Sequence, residues 1–213
     1  MPTIKRIIMI SAGMDSTYMA WRMIRDRVSG LHLHHISIRN VYGLYIEQDS
    51  RIKKIIEYFR NINSDFEYSE SVFEFYGWKT VGYDSDIQAL FGQKLAQNYP
   101  TCMVELYIGL NAHGILQPNV IDRRNRNVNA NVWKSLIESS HNRDTIDKEI
   151  HYPLVEDNKD KSDMIKEMPK ELLDLTWSCR NPNKGKPCNM CHACLEIKEA
   201  YEKIGEIKND TRS

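Results

Sequence analysis

Net charge is what this chain has least of: 29 basic and 29 acidic residues cancel over 213 positions. Such a chain has no overall field to draw it onto nucleic-acid phosphates or an anionic membrane, so small-molecule work is the simpler expectation. Long apolar runs are also missing. No window reaches eighteen apolar residues, which excludes an ordinary membrane-spanning helix. The sequence enters its first strand with no hydrophobic leader ahead of it, and a cytoplasmic protein is expected. Internal repeats and low-complexity linkers are absent, which excludes solenoids and long disordered segments. With 41% hydrophobic and 27% charged residues, the chain is long enough for one sizeable core and a small appended lobe.

Cysteine is scarce, yet four of the five stand close together: Cys179, Cys188, Cys191 and Cys194, spaced C-x8-C-x2-C-x2-C. Four thiolates complete a tetrahedral set for one structural zinc and leave no open position for chemistry. Two disulfides fit the tight C-x2-C-x2-C run less well. An iron–sulfur cluster also takes four thiolates, and metal analysis separates the two. The fifth cysteine, Cys102, is expected to be a small buried apolar residue.

The N-terminal segment carries the chemistry. Lys5-Arg6-Ile7-Ile8-Met9-Ile10 suits a buried parallel strand. It runs into Ser11-Ala12-Gly13-Met14-Asp15-Ser16-Thr17, a small-residue loop before a helix. Small residues let backbone approach an oxyanion, the helix aims unpaired N–H groups at it, and Ser11, Ser16 and Thr17 add hydroxyls. Asp15 is placed to help hold magnesium against the same phosphates.

Strands and helices alternate through the rest, which predicts an α/β fold with an open, mainly parallel sheet flanked by helices. A crossover helix is expected over Thr17 to Arg27, a strand over Leu31 to Ile38, and a second helix over Gln48 to Phe59. That helix carries an apolar stripe of Ile52, Ile55, Ile56 and Phe59, with Arg51, Lys53 and Lys54 facing out. Further strands are expected over Phe66 to Phe75 and Met103 to Leu110. His32, His34 and His35 lack a neighbouring ligand set and read as ordinary strand histidines. Tyr76, Trp78, Trp133 and Trp177 read as buried or edge aromatics in preference to base-stacking platforms. His113 falls at the loop end of the sheet, where ligands of parallel sheets sit. Asp122-Arg123-Arg124-Asn125-Arg126 is either a solvated run or an arginine fork for a carboxylate or phosphate.

Ser11-Ala12-Gly13-Met14-Asp15-Ser16 resembles the Ser-Gly-Gly-x-Asp-Ser loop of ATP pyrophosphatases (the PP-loop superfamily). The whole pattern is similar to the 7-cyano-7-deazaguanine synthase (QueC-like) family, which opens on this loop and closes on four cysteines. Tyr152-Pro153-Leu154, Lys159, Thr176-Trp177-Ser178-Cys179 and Cys188-Asn189-Met190-Cys191-His192-Ala193-Cys194 carry the likeness. The middle departs from it. Pro100-Thr101-Cys102-Met103 stands where a Pro-Gly-Arg-Asn turn would be, and Gln117-Pro118-Asn119 to Arg124 where the family grips its base. Ala12 replaces a glycine, which matters if its φ is positive.

The resemblance implies a nucleotide-binding domain over residues 1–175 and a zinc lobe over 176–213. It implies ATP with magnesium bound by Ile10, Ser11, Ala12, Gly13, Met14, Asp15, Ser16 and Thr17, and Asp15, Ser16 and Lys159 acting in catalysis. Lys159 would meet the pyrophosphate leaving group, and Ser37 to Asn40 would lie near the adenine. His113, Asp122, Arg123 and Arg124 would face a deazapurine acid. The implied reaction is ATP-dependent conversion of 7-carboxy-7-deazaguanine and ammonia to 7-cyano-7-deazaguanine, serving tRNA queuosine or DNA modification, by a homodimer. A related adenylating enzyme with another acceptor, or a non-catalytic nucleotide-binding module, is the alternative.

Overall fold

The computed structural model describes residues 3–40, 43–77, 84–109, 148–183 and 185–205. Five strands, β1 (Ile4–Met9), β2 (Leu31–Arg39), β3 (Glu67–Glu74), β4 (Met103–Tyr107) and β5 (Lys148–His151), form one sheet in the order β3-β2-β1-β4-β5. Every pairing is parallel. The chain moves outward from β1 through β2 to β3, then returns to lay β4 on the other side of β1. Strand order therefore reverses between β1 and β4, and the crevice beyond their carboxyl ends is where open parallel sheets take ligands. The loop after β1 opens there.

Burial explains the strand positions. Ile7, Ile8, Met9 and Ile10 are all buried, with Ile8 and Ile10 in one core and Ile7 and Met9 in the other. An unbroken apolar run is what a strand covered on both faces needs. Helices α1 (Met14–Arg25), α2 (Leu44–Ile62), α4 (Pro153–Glu156), α5 (Lys161–Glu167), α6 (Lys170–Leu175) and α7 (His192–Lys203) supply the larger core through Trp21, Ile24, Ile55, Phe59, Leu154, Met164, Leu172 and Ala200. Helix α3 (Asp84–Ala96) covers the other face with Phe91, Leu95 and Ala96.

Several boundaries differ from the sequence-based expectation, the two helix starts most usefully, and so does the burial of Cys102. Helix α1 begins at Met14, three residues before Thr17, because Gly13 is its N-cap and the Gly13 carbonyl accepts from the Thr17 amide at 3.0 Å. Helix α2 begins at Leu44, ahead of Gln48, and its buried stripe is the expected Ile52, Ile55, Ile56 and Phe59. Cys102 is partly exposed, since it lies in the turn that leads into β4 and not within the strand. No helix among the described residues is long and apolar enough to cross a membrane.

Strand β2 is buried on both sides, which puts its three histidines in the interior as core residues. The His32 ring nitrogens meet the Tyr99 hydroxyl at 2.7 Å and the Ser69 hydroxyl at 2.6 Å. His34 Nδ1 lies 2.7 Å from the same Ser69 oxygen, and its ring stacks on Phe91. Burial, reinforced by His32 and His35, pushes His34 down to about 4 from an ordinary 6.5. The unfolded chain takes up this proton near pH 6.5 and the folded chain only near pH 4. His34 therefore contributes fully to stability above pH 6.5, and the contribution is lost as pH falls toward 4, by roughly 1–3 kcal/mol. Urea midpoints at pH 7 and pH 4.5 should fall more steeply for the wild type than for His34→Gln; equal slopes would remove this residue as the cause.

Candidate functional site

The loop after β1 is held by its own hydroxyls. The Ser11 amide donates to Ser16 Oγ at 3.2 Å, the Ser16 hydroxyl donates to the Gly13 carbonyl at 3.3 Å, and the two seryl oxygens lie 3.3 Å apart. Ser16 thus ties the entry of the loop to the first turn of α1. Thr17 faces inward and is fully buried. Ala12 has φ 59, the left-handed region, and no exposed surface. Holding alanine there costs about 1–2 kcal/mol, and glycine is the residue this backbone favours. Gly109, just past β4, comes close from the other side of the switch point: a Cβ there would stand 2.7 Å from Ser16 Cα and 2.8 Å from Ser16 N. Only glycine lets β4 approach the loop this closely. Local sequence carries no sign of that contact.

Asp15 stands in the first turn of α1, and its Oδ1 lies 2.6 Å from Lys161 Nζ. The lysine side chain is 7% exposed and the aspartate 25%. Lys161 is brought there by the start of α5, where Asp160 is the N-cap. Asp160 Oδ1 accepts from the amides of Ser162 at 2.8 Å and Asp163 at 3.1 Å, and the Asp163 side chain accepts in return from the Asp160 amide. The Lys203 ammonium from α7 also meets Asp160. Burial alone would raise the Asp160 carboxyl, but Lys203 and these amides outweigh it and hold the group at about 2.

Lys159 has a different partner. Its ammonium pairs with Glu167, which also accepts the Tyr18 hydroxyl. The lysine expected at the loop from family spacing is therefore tied to α5, and the lysine two residues later occupies the loop. The signal for this was Asp160-Lys161-Ser162-Asp163, a capping-box pattern that marks the helix start and makes Lys161 its first residue.

The four cysteines converge as expected, with all four Sγ atoms within 4.8 Å of one another. Backbone amides point at the sulfurs: Cys188 N to Cys179 Sγ at 3.2 Å, Cys191 N to Cys188 Sγ at 3.3 Å and Arg180 N to Cys191 Sγ at 3.4 Å. Amides of Met190 and Cys191 pull the Cys188 thiol down to about 6, whereas burial pushes Cys179 and Cys194 up. A tetrahedral ion with bonds of about 2.3 Å places its sulfurs about 3.8 Å apart, which this set accommodates. A cubane cluster puts each thiolate on a different corner iron and needs a wider spread. The donor set fits a single ion. Glu105, Glu149 and His151 also approach one another. There the Glu105 carboxylate is already met by Arg6 Nε at 2.9 Å and the Tyr107 hydroxyl at 2.8 Å, so an ion-pair network accounts for it.

Trp177 joins the two centres. It is buried, its amide donates to the Ala12 carbonyl at 2.8 Å, and its indole N–H donates to the Cys179 carbonyl at 3.1 Å. Ser37, expected near adenine, donates to Asp49 Oδ2 at 2.6 Å. His113, Asp122, Arg123, Arg124, Arg126, Trp78 and Trp133 lie outside the described residues.

A parallel sheet with a small-residue loop at its switch point, an acidic residue in the first helical turn and a four-cysteine cluster define an α/β protein with a ligand site at the end of β1. Residues 120–205, less than half of the chain, match the model of the family described as queuosine biosynthesis protein QueC. Among solved structures the chain is similar to the U34-tRNA thiolase NcsA from Methanococcus maripaludis with its 4Fe-4S cluster. That match has 15% identity and a TM-score of 0.48, and covers 97% of this chain and 68% of that one. Comparison with curated proteins gives no match.

The strain at Ala12 is testable. Ala12→Gly should raise the melting temperature by about 2–4 °C, the shift that about 1 kcal/mol gives in a chain of this size; a lowered melting temperature would mean that the buried methyl outweighs the backbone strain.

Proposed function

We propose that this protein uses ATP to adenylate a carboxylate, and that the acid is 7-carboxy-7-deazaguanine. The observation that carries the proposal is the Asp15–Lys161 pair at the mouth of the loop, a carboxylate and an ammonium side by side where a phosphate chain would lie. The amides opening α1 and the Ser11 and Ser16 hydroxyls bind phosphate oxygens. Asp15 is the carboxylate placed to hold magnesium, which when bound neutralises phosphate charge. Lys161 then exchanges its aspartate for the pyrophosphate leaving group, the part that family spacing assigned to Lys159.

A substrate carboxylate oxygen attacks the α-phosphorus, the bond to the bridging oxygen breaks, and pyrophosphate leaves. Ammonia attacks the acyl carbon, AMP departs, and the nitrogen releases a proton to give the amide. A second ATP activates the amide oxygen in the same way, releasing pyrophosphate; loss of both nitrogen-bound protons and departure of AMP leave the nitrile. One zinc held by Cys179, Cys188, Cys191 and Cys194 is the proposed structural ion, within a lobe of residues 176–213. A homodimeric, cytoplasmic enzyme belongs to the same proposal, as does a substrate grip from His113, Asp122, Arg123 and Arg124.

Pyrophosphate release should fall by about 10²–10³ in Lys161→Ala, the range for losing a charge that acts in the transition state, and Asp15→Ala should abolish it. Lys159→Ala should stay within about threefold of wild type, as expected for a surface ion pair. A larger loss in Lys159→Ala than in Lys161→Ala would reverse the assignment. Elemental analysis should find one zinc per chain, and iron with visible absorption would contradict zinc.

A further inference from the structure

Arg51 was expected to face solvent on α2, and it does not. Its guanidinium lies over the Trp177 ring, 4.7 Å from the centroid. Its Nη1 lies 3.1 Å from the Asp174 carbonyl and 3.3 Å from those of Leu175 and Thr176. These are the last carbonyls of α6, which have no partner further along the helix. Glu47, one turn earlier on α2, faces Nε at 3.7 Å. The side chain is 27% exposed, so the cation is set mostly against protein.

The segment that Arg51 fixes touches both centres. One residue past Thr176, the Trp177 amide holds the Ala12 carbonyl, and Ser178 Oγ lies 3.5 Å from the Met14 amide. The Trp177 indole holds the carbonyl of Cys179, the first and most buried of the four cysteines. Ala12 is in the left-handed region, so its peptide needs an outside anchor to keep that shape. Trp177 is the anchor, and Arg51 fixes the anchor.

We infer that Arg51 is a positioning residue that holds the loop of Ser11 to Thr17 through Trp177 and couples that loop to occupancy of the cysteine cluster. The inference rests on reading that loop as the nucleotide site. Arg51 acts without touching nucleotide or metal. Lysine cannot replace it, because a compact ammonium neither stacks flat on the indole nor spans three carbonyls.

The test is hydrogen–deuterium exchange by mass spectrometry on peptides covering residues 10–17 and 31–37. The samples are metal-loaded wild type, Arg51→Ala, Arg51→Lys, and wild type treated with a zinc chelator. Exchange over residues 10–17 should be about tenfold faster in both variants and in the chelated protein, within the range for a residue acting through packed neighbours. Residues 31–37 should be unchanged. Loop exchange equal to wild type, or an equal rise over both peptides, would overturn the inference. If Arg51→Ala fails to fold, Arg51→Lys and the chelated wild type decide the matter. Calorimetric titration with ATP and magnesium should show roughly tenfold weaker binding in Arg51→Ala, with metal content retained. Failure of the wild type to bind ATP would remove the nucleotide proposal alone, and loop exchange would still decide the role of Arg51.

Discussion

The ion pair between Asp15 and Lys161 is the constraint on which the rest of the site depends. The two residues are 146 positions apart and meet at 2.6 Å with the lysine almost wholly buried. Removing such charges from water costs several kcal/mol per ion, so neither would be stable there without the other or a ligand that replaces it. The pair therefore sets where α5 begins against α1. Asp160 fixes that start through its capping box, and Lys203 extends the arrangement to α7. The same pair presents opposite charges to the crevice at the sheet's switch point, where a metal-bound polyphosphate could replace each partner in turn.

The second link between the chain's ends is made of backbone. Trp177 donates to the strained Ala12 carbonyl, and its neighbours lead directly into the first cysteine. Gly109 closes the opposite side of the loop by leaving out a side chain. A loop of small residues has little shape of its own, and here the shape comes from three later segments: β4, the stretch before Cys179, and the start of α5.

What could be read from the sequence was local. The apolar run of Ile7 to Ile10 at the end of β1, the small-residue turn and the C-x2-C-x2-C run each lie within a dozen residues, and the structure buries the first and brings the cysteines of the last together. Lys161 was missed because choosing between two lysines, two positions apart, needs the helix start, and Asp160-x-x-Asp163 was the only cue. Arg51 was missed for a different reason. Helical periodicity gives its angle on α2 but says nothing about a segment more than 120 positions later arriving over that face. Burial of all three β2 histidines follows from helices covering both sides of the sheet, which the alternation of apolar and polar residues did not reveal.

The proposed role of the loop and its ion pair is to activate a carboxylate with ATP. The most direct measurement is mass spectrometry of the base after incubating purified protein with ATP, magnesium, ammonium and 7-carboxy-7-deazaguanine, with pyrophosphate and AMP quantified alongside. Conversion to the amide or nitrile, with one pyrophosphate and one AMP for each activation, is the expected result. An unchanged base with no pyrophosphate released, from protein that holds its metal and binds ATP, would contradict it.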